Sequence, residues 1–183
     1  DRGNIAATFD RTEAAADNPD EYRNTGLYRL FPSASFGVLS AWAWTFHRAV
    51  DALAAMPEVR ADAIAITGHS RGGKTALLAG ATCSRIALTN PNCSGIGGAG
   101  LHRLKGEGSE RIESFFQSRN IFWFGEPIRK FRGRDASLPY DQHFLHAMVA
   151  PRYLLVTEAY EDGWANPPGS YAACREAQRV YEL

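Results

Sequence analysis

The chain lacks a surplus of charge, and it has few cysteines. Lys and Arg total 20 and Asp and Glu total 20 among 183 residues, so the net charge is zero. Proteins that bind nucleic acid or anionic membranes through bulk charge are strongly basic, so we expect neither partner. The three cysteines, Cys83, Cys93 and Cys174, are too few for a disulfide scaffold and form no C-x-x-C pair. A cysteine-based metal site is therefore not expected.

Long apolar runs are also missing. No stretch approaches the roughly 18 apolar residues of a membrane-spanning helix, and no basic-then-apolar leader opens the chain. The chain begins at Asp1 without Met and stops at Leu183 within a helical pattern. We therefore expect residues 1–183 to form a single partial domain that is truncated at both ends.

Short apolar runs alternate with helical patterns along the chain. The runs at 4–10, 61–68, 85–90 and 152–159 predict strands. The intervening patterns at 37–56, 72–81, 108–118, 140–150 and 171–183 predict helices. This alternation is typical of an α/β protein, a three-layer sandwich with a mostly parallel sheet between helices.

Residues 68–75, GHSRGGKT, satisfy two motifs with different chemistries. G-x-S-x-G is the elbow that presents a serine nucleophile, here Ser70. G-x-x-x-x-G-K-[ST] is a loop that binds nucleotide phosphates, here through Lys74 and Thr75. Both motifs require a strand, a tight turn and a helix, so their context does not choose between them.

Each interpretation needs a partner elsewhere in the chain. A phosphate loop needs an acidic residue after another strand, and Glu158 is available. An elbow needs small residues at Gly68 and Gly72, then an acid after a later strand, then a histidine. Asp162 occupies the place of the acid, but residues 163–183 contain no histidine.

The missing histidine matters because an imidazole must take the proton of the serine. Five histidines precede the acid, namely His47, His69, His102, His143 and His146. His143 and His146 are candidates on one predicted helix, although structural roles suit them better. We expect the catalytic histidine to lie beyond Leu183.

Several segments together are similar to one known family. GHSRGGKTALLAGA, NPNCSGIGGAGLHR, LPYDQHFLHAMVAPRYLLV and EDGWANPPGSY resemble the glucuronoyl esterases of carbohydrate esterase family fifteen. The upstream segments ATFD and AWAWTFHRAVDAL also look like that family, so the resemblance covers most of the chain. It implies an α/β-hydrolase that cleaves 4-O-methyl-glucuronoyl esters linking glucuronoxylan to lignin alcohols.

The resemblance implies a catalytic role for three residues. Ser70 would be the nucleophile, and Arg71 would stabilise the oxyanion with its guanidinium and its backbone N–H. Asp162 resembles the acid of bacterial-type members. Many members, the fungal ones especially, carry a glutamate where this chain has Cys93, and a thiol cannot hold an imidazolium as a carboxylate does.

The resemblance also implies substrate contacts. Lys74 would reach the uronate, and Trp164 would help form the sugar pocket. Glu107 resembles the substrate-contacting glutamate of the family, with the neighbouring Glu110 as the alternative. No metal or organic cofactor is implied.

The expected partner is a plant cell-wall glucuronoxylan or lignin-carbohydrate ester, acted on by a secreted or periplasmic monomer. Three other functions stay open at this point. An acetyl xylan esterase would share the elbow without needing Lys74 and Trp164 around a uronate. A phosphate-loop NTPase would use Lys74, and a non-catalytic carbohydrate-binding protein would bind sugar without turnover.

Overall fold

The computed structural model describes residues 3–183, and in them three parallel strands form one sheet. The strands are β1 (Ala65–His69), β2 (Leu88–Asn92) and β3 (Tyr153–Leu154), with β2 in the centre. Ala65 lies opposite Leu88, and Thr89 lies opposite Leu154. Because the strands are parallel, their carboxyl ends meet at one edge, where ligands of such sheets usually bind.

Six α-helices connect and flank the strands within the described residues. They are α1 (Gly26–Leu30), α2 (Val38–Ala54), α3 (Arg71–Thr82), α4 (Ile112–Gln117), α5 (His143–Val149) and α6 (Pro167–Tyr181). Short 3₁₀ turns cover Arg11–Glu13, Tyr22–Asn24, Ala61–Ala63, Asn120–Trp123, Glu126–Phe131, Asp135–Ser137 and Gly163–Ala165. None of the described helices combines the length and the apolarity needed to span a membrane.

Helix α3 is the centre of the core because it packs against β1, β2, α2 and α5. Small residues allow this close approach. A Cβ added to Gly80 would lie 2.0 Å from the Thr89 hydroxyl oxygen on β2. Larger side chains fill the space between α2 and the segment 112–138, where Trp42 and Phe115 are fully buried. The Trp42 indole donates to the Ala15 carbonyl at 2.8 Å, which ties the N-terminal loop to this core.

The α/β-hydrolase fold and its parallel sheet with flanking helices are confirmed. The predicted helices at 37–56 and 72–81 match α2 and α3, and the last helix begins four residues earlier than predicted, at Pro167. The predicted helix at 108–118 is shorter and begins at Ile112.

The prediction of a strand at 4–10 is wrong. These residues are exposed and form no ladder with any described strand, and Ile5 is 56% exposed. The apolar run contacts the fold through Phe9, whose ring meets Phe46 edge-on at 4.9 Å. An apolar pattern indicates which side chains favour burial, but it does not supply a pairing partner.

The predicted strand at 152–159 is regular only at β3, and Pro91 explains the interruption. Leu155 and Thr157 still donate to the carbonyls of Thr89 and Pro91, at 2.9 and 3.3 Å. Pro91 has no N–H to return a bond to the Leu155 carbonyl, so the side-chain amide of Asn90 donates there instead. A bridge between Asn92 and Thr157 resumes the pairing.

Candidate active site

Ser70 lies on a strained turn between β1 and α3, at the carboxyl edge of the sheet. Its backbone has φ 54° and ψ −120°, which is rare for a residue with a side chain. The turn is held from both sides. The Ser70 N–H donates to the Asn92 carbonyl at 2.9 Å, and the Ser70 carbonyl accepts from the Lys74 N–H at 3.0 Å. The serine is exposed.

The sharpness of this turn requires a glycine at position 68. A Cβ on Gly68 would lie 2.2 Å from the Gly72 carbonyl oxygen, so strand and helix pass too closely for any side chain. A Cβ on Gly72 would meet nothing within 4 Å among the described residues. The expectation that both positions need a small residue therefore holds for Gly68 and is wrong for Gly72.

The N-terminus of α3 directly follows Ser70. The helix begins at Arg71, and the Lys74 N–H is the first that reaches back to a carbonyl of the turn. The N–H groups of the first helical residues have no partner within the helix, and they lie at the positive end of its dipole. The Arg71 N–H is thus placed to receive negative charge that develops on an atom bonded to the Ser70 oxygen.

The Arg71 side chain is held in a fixed place by two neighbours. Its Nη1 donates to Asp17 Oδ2 at 2.5 Å, and its guanidinium carbon lies 4.9 Å from the centre of the Trp123 ring. The Trp123 indole in turn donates to Asp17 Oδ1 at 2.9 Å. One carboxylate therefore holds both the guanidinium and the aromatic ring beneath it.

Lys74 is buried, with 3% of its side chain exposed, and its ammonium makes three hydrogen bonds. It donates to the carbonyls of Ser94 and Ile96 at 2.7 Å each, and to Glu110 Oε2 at 2.6 Å. Burial lowers the pKa of Lys74, and the charge of Glu110 opposes that effect. Three protein acceptors occupy its three protons, so any ligand, a nucleotide phosphate included, would have to replace one of them.

Glu110 rather than Glu107 is the acidic partner of this lysine. Burial raises the pKa of Glu110, and the adjacent Lys74 ammonium opposes the rise. Glu107 is exposed, and its carbonyl would lie 3.7 Å from a Cβ on Gly163, so this backbone borders the loop that carries Trp164. The sequence alone does not show which of the two glutamates faces Lys74. They are three positions apart in an irregular segment, which has no period to predict the direction of a side chain.

The loop after β3 carries both Asp162 and Trp164, and it contacts the segment of Glu110. The Asp162 carboxylate caps the short turn Gly163–Ala165 and accepts from the Ala165 N–H at 3.2 Å. Burial is the main cause that raises the pKa of Glu110, and the charge of Asp162 adds to the rise. Trp164 is 55% exposed, and its carbonyl accepts from the Glu110 N–H at 3.1 Å. The indole is therefore accessible to a ligand.

No histidine of the described chain hydrogen-bonds to the Ser70 hydroxyl. The ring of His69 lies 2.7 Å from Asn92 Oδ1, and His47 lies near Ala79 and Thr82. His102 and His146 are buried, and burial lowers the pKa of each to about 4. His143 is on the same helix as His146, and its Nδ1 is buried without a partner among residues 3–183. None of these imidazoles therefore has the hydrogen bond to Ser70 through which a catalytic base would take its proton.

Cys93 directly follows β2, and β2 pairs with β1, the strand that ends just before Ser70. The Cys93 backbone has φ 43°, and its N–H donates to the Thr157 carbonyl at 2.9 Å. No carboxylate stands at this position, so the acid role stays with Asp162 as a prediction. Among the described residues, no group of three or more His, Cys, Asp or Glu side chains is arranged to hold a metal ion.

Sequence reasoning missed Asp17 and Trp123. Asp17 is 54 residues before Arg71, and Trp123 is 52 residues after it, in loops with no periodic pattern. Neither residue belongs to a motif, so only the folded chain shows that they meet the guanidinium.

The geometry agrees with the comparisons with known proteins. A family model described as glucuronyl esterase of fungi matches residues 1–183. A carbohydrate esterase from an unknown prokaryotic organism is 40% identical over 149 residues, which are 81% of this chain and 34% of that protein. A 4-O-methyl-glucuronoyl methylesterase of Wolfiporia cocos is 36% identical over 188 residues, 98% of this chain and 46% of that protein.

A solved structure indicates the same family. The glucuronoyl esterase of carbohydrate esterase family 15 from Caldicellulosiruptor kristjansonii superimposes with a TM-score of 0.88 at 36% identity. The match covers 95% of this chain and 49% of that one. The chain thus spans less than half the length of each of these three relatives. It belongs to the glucuronoyl esterases of carbohydrate esterase family 15.

Proposed function

We propose that the protein containing this chain is a serine esterase that hydrolyses 4-O-methyl-glucuronoyl esters through an acyl-enzyme. The observation that carries the proposal is the exposed Ser70 on its strained turn, at the N-terminus of a buried helix, in a chain of this family. The relative from Wolfiporia cocos is named a methylesterase of this uronate, which motivates the substrate class.

The reaction would proceed in two steps. The Ser70 oxygen attacks the ester carbonyl while a base takes its proton, and that proton passes to the leaving alcohol as the ester bond breaks. Water then attacks the acyl group and releases the uronic acid. The Arg71 N–H and guanidinium stabilise the oxyanion of each tetrahedral intermediate, where one donor typically contributes about 3 kcal/mol.

The base would be a histidine from outside these 183 residues, oriented by Asp162. Asp162 supports this role by its place after β3, on the loop that also carries Trp164. Within residues 3–183 its carboxylate accepts one hydrogen bond, from the Ala165 N–H, which leaves most of its acceptor sites for an imidazolium.

The uronate would be bound by Trp164 and by the region around Lys74, with Glu107 as a further contact. The exposure of Trp164 supports stacking on a sugar ring. Lys74 can bind a substrate hydroxyl if that hydroxyl replaces one of its three present acceptors. The Lys74–Glu110 pair then supplies both a donor and an acceptor for a sugar hydroxyl.

The substrate class also defines the biological setting that we propose. The expected substrate, a glucuronoxylan ester of the plant cell wall, motivates the proposal of a secreted or periplasmic enzyme. We further propose that it acts as a monomer, without a nucleic acid partner.

Kinetic comparison of substrates with the full-length protein tests the proposal. We expect turnover of methyl 4-O-methyl-glucuronate, weaker turnover of acetylated xylan, and loss of both in Ser70→Ala. Equal or better turnover of acetylated xylan would instead support an acetyl xylan esterase. Sugar binding without turnover in the wild type would contradict the proposal and support a carbohydrate-binding protein.

A further inference from the structure

Asp17, Arg71 and Trp123 form a closed set of contacts beside Ser70. Asp17 Oδ2 accepts from Arg71 Nη1 at 2.5 Å, and Asp17 Oδ1 accepts from the Trp123 indole at 2.9 Å. The guanidinium carbon of Arg71 lies 4.9 Å from the centre of the Trp123 ring, which closes the set. Each of the three side chains therefore fixes the other two.

The surroundings of the set make it more rigid than an ordinary surface ion pair. Trp123 is buried with 5% exposed, and the Asp17 side chain is 15% exposed. The Arg71 side chain is 44% exposed, so Asp17 and Trp123 hold it while part of it stays open to solvent. Arg11 lies 3.7 Å from the same Asp17 oxygen, so two cations flank that carboxylate.

We infer that Asp17 is a positioning residue for the esterase reaction, because it holds the Arg71 guanidinium where the oxyanion forms. This inference rests on the proposed function. An arginine side chain has several rotatable bonds, and a donor assists the transition state best when it is already oriented. Asp17 and the Trp123 ring restrict those rotations before the substrate arrives.

The Asp17 carboxylate also has an opposing effect that must be weighed. Its negative charge reduces the attraction between Arg71 and an oxyanion. That reduction is screened because the arginine side chain is partly exposed and Arg11 offsets part of the charge. The loss of orientation is not screened, so we expect removal of the carboxylate to slow the reaction.

The test is a double-mutant cycle of Asp17→Asn and Arg71→Ala in the full-length protein, assayed with methyl 4-O-methyl-glucuronate. Asn keeps the size of the side chain but weakens a charge-assisted hydrogen bond, so we expect kcat to fall about tenfold with little change in KM. In the Arg71→Ala background the same change should have no further effect, because Asp17 acts through the guanidinium.

Two further variants keep the result interpretable. Asp20 is exposed in the same loop as Asp17, and its carboxylate accepts from Arg119 at 2.6 Å. Asp20→Asn should leave kcat unchanged. Trp123→Phe keeps an aromatic ring and removes the indole donor, so it should lower kcat less than Asp17→Asn does. If Asp17→Asn does not fold, Trp123→Phe carries the test through the same cycle with Arg71→Ala.

The outcomes separate this inference from the proposed function. A wild-type protein without esterase turnover would overturn both. If Arg71→Ala lowers kcat but Asp17→Asn does not, the inference alone is overturned. The same holds for an unchanged kcat in Trp123→Phe, where that variant replaces Asp17→Asn in the test. An equal loss of kcat with and without the Arg71 side chain would show that Asp17 serves only the fold, which also overturns it.

Discussion

Two carboxylates with buried oxygen atoms, those of Glu110 and Glu158, interact with the charge of Lys74, and they differ in their hydrogen bonds. Glu110 accepts directly from the ammonium at 2.6 Å. Both carboxylate oxygens of Glu158 are buried without a hydrogen-bond partner among residues 3–183. Burial raises the pKa of Glu158 above its ordinary value of 4.5; the nearby Ser170 hydroxyl and the Lys74 charge oppose the rise, and the charge of Asp162 adds to it. A carboxyl group in this environment is more easily accommodated in its neutral form.

We therefore expect Glu158→Gln to stabilise the protein at pH 8 and not at pH 4. A raised pKa in the folded state means that the wild type loses stability as the pH rises through the titration of Glu158. The neutral amide avoids that loss, so the free energy of unfolding should increase by about 1 kcal/mol at pH 8. Urea denaturation at both pH values measures the difference.

Glu161→Gln is the matched control, because Glu161 is exposed in the same loop and should show no gain at either pH. A stabilisation by Glu158→Gln that is equal at pH 4 and pH 8 would contradict the explanation by ionisation.

At the scale of elements, the position of α3 depends on its close packing against β2. Gly80 faces Thr89, which is fully buried, and an added Cβ would lie 2.0 Å from the threonine hydroxyl oxygen. The same helix begins at the Ser70 turn, so a displacement at Gly80 is transmitted toward the site. Gly72 is on this helix as well, but it faces open space among the described residues.

We expect Gly80→Ala and Gly72→Ala to change stability in opposite directions. Gly80→Ala should lower the free energy of unfolding by about 2 kcal/mol, since buried Thr89 must shift. Gly72→Ala should raise it by about 0.5–1 kcal/mol, since alanine favours the helix and meets no neighbour. Chemical denaturation of both variants checks this, and a destabilised Gly72→Ala would show that another part of the protein packs there.

At the scale of the whole molecule, the site is a set of loops at one edge of the sheet. Ser70 follows β1, Cys93 follows β2, and Asp162 follows β3, so the parallel arrangement brings distant segments together. No described histidine hydrogen-bonds to the Ser70 hydroxyl, and His102 and His146 are buried with their pKa values lowered to about 4. The proton acceptor of the proposed reaction is therefore absent from the described site.

We expect the 183-residue polypeptide to show no measurable hydrolysis of methyl 4-O-methyl-glucuronate, because a serine without a base stays a weak nucleophile. The full-length protein should be active, and His146→Gln in that protein should retain its kcat. Robust turnover by the 183 residues alone would contradict this and assign the base to an internal histidine.

The limits of sequence reasoning follow from the kind of information in each segment. The elbow is predictable because the G-x-S-x-G spacing reflects a local steric requirement. A Cβ added to Gly68 would lie 2.2 Å from the Gly72 carbonyl oxygen, so only glycine fits there. Residues 4–10 were misassigned because apolarity alone does not provide a strand partner. The pairing of Lys74 with Glu110 could not be predicted either, because the irregular segment that carries Glu110 has no periodic pattern.

The sequence by itself determined the local features of this protein: the turn at Ser70 and the helix that follows it. These depend on interactions between residues close along the chain, which leave a pattern. Only the tertiary structure decided that Lys74 is paired with Glu110 and that Arg71 is held between Asp17 and Trp123. Those contacts join residues 36 to 54 positions apart, and their geometry is set by packing that no local pattern records.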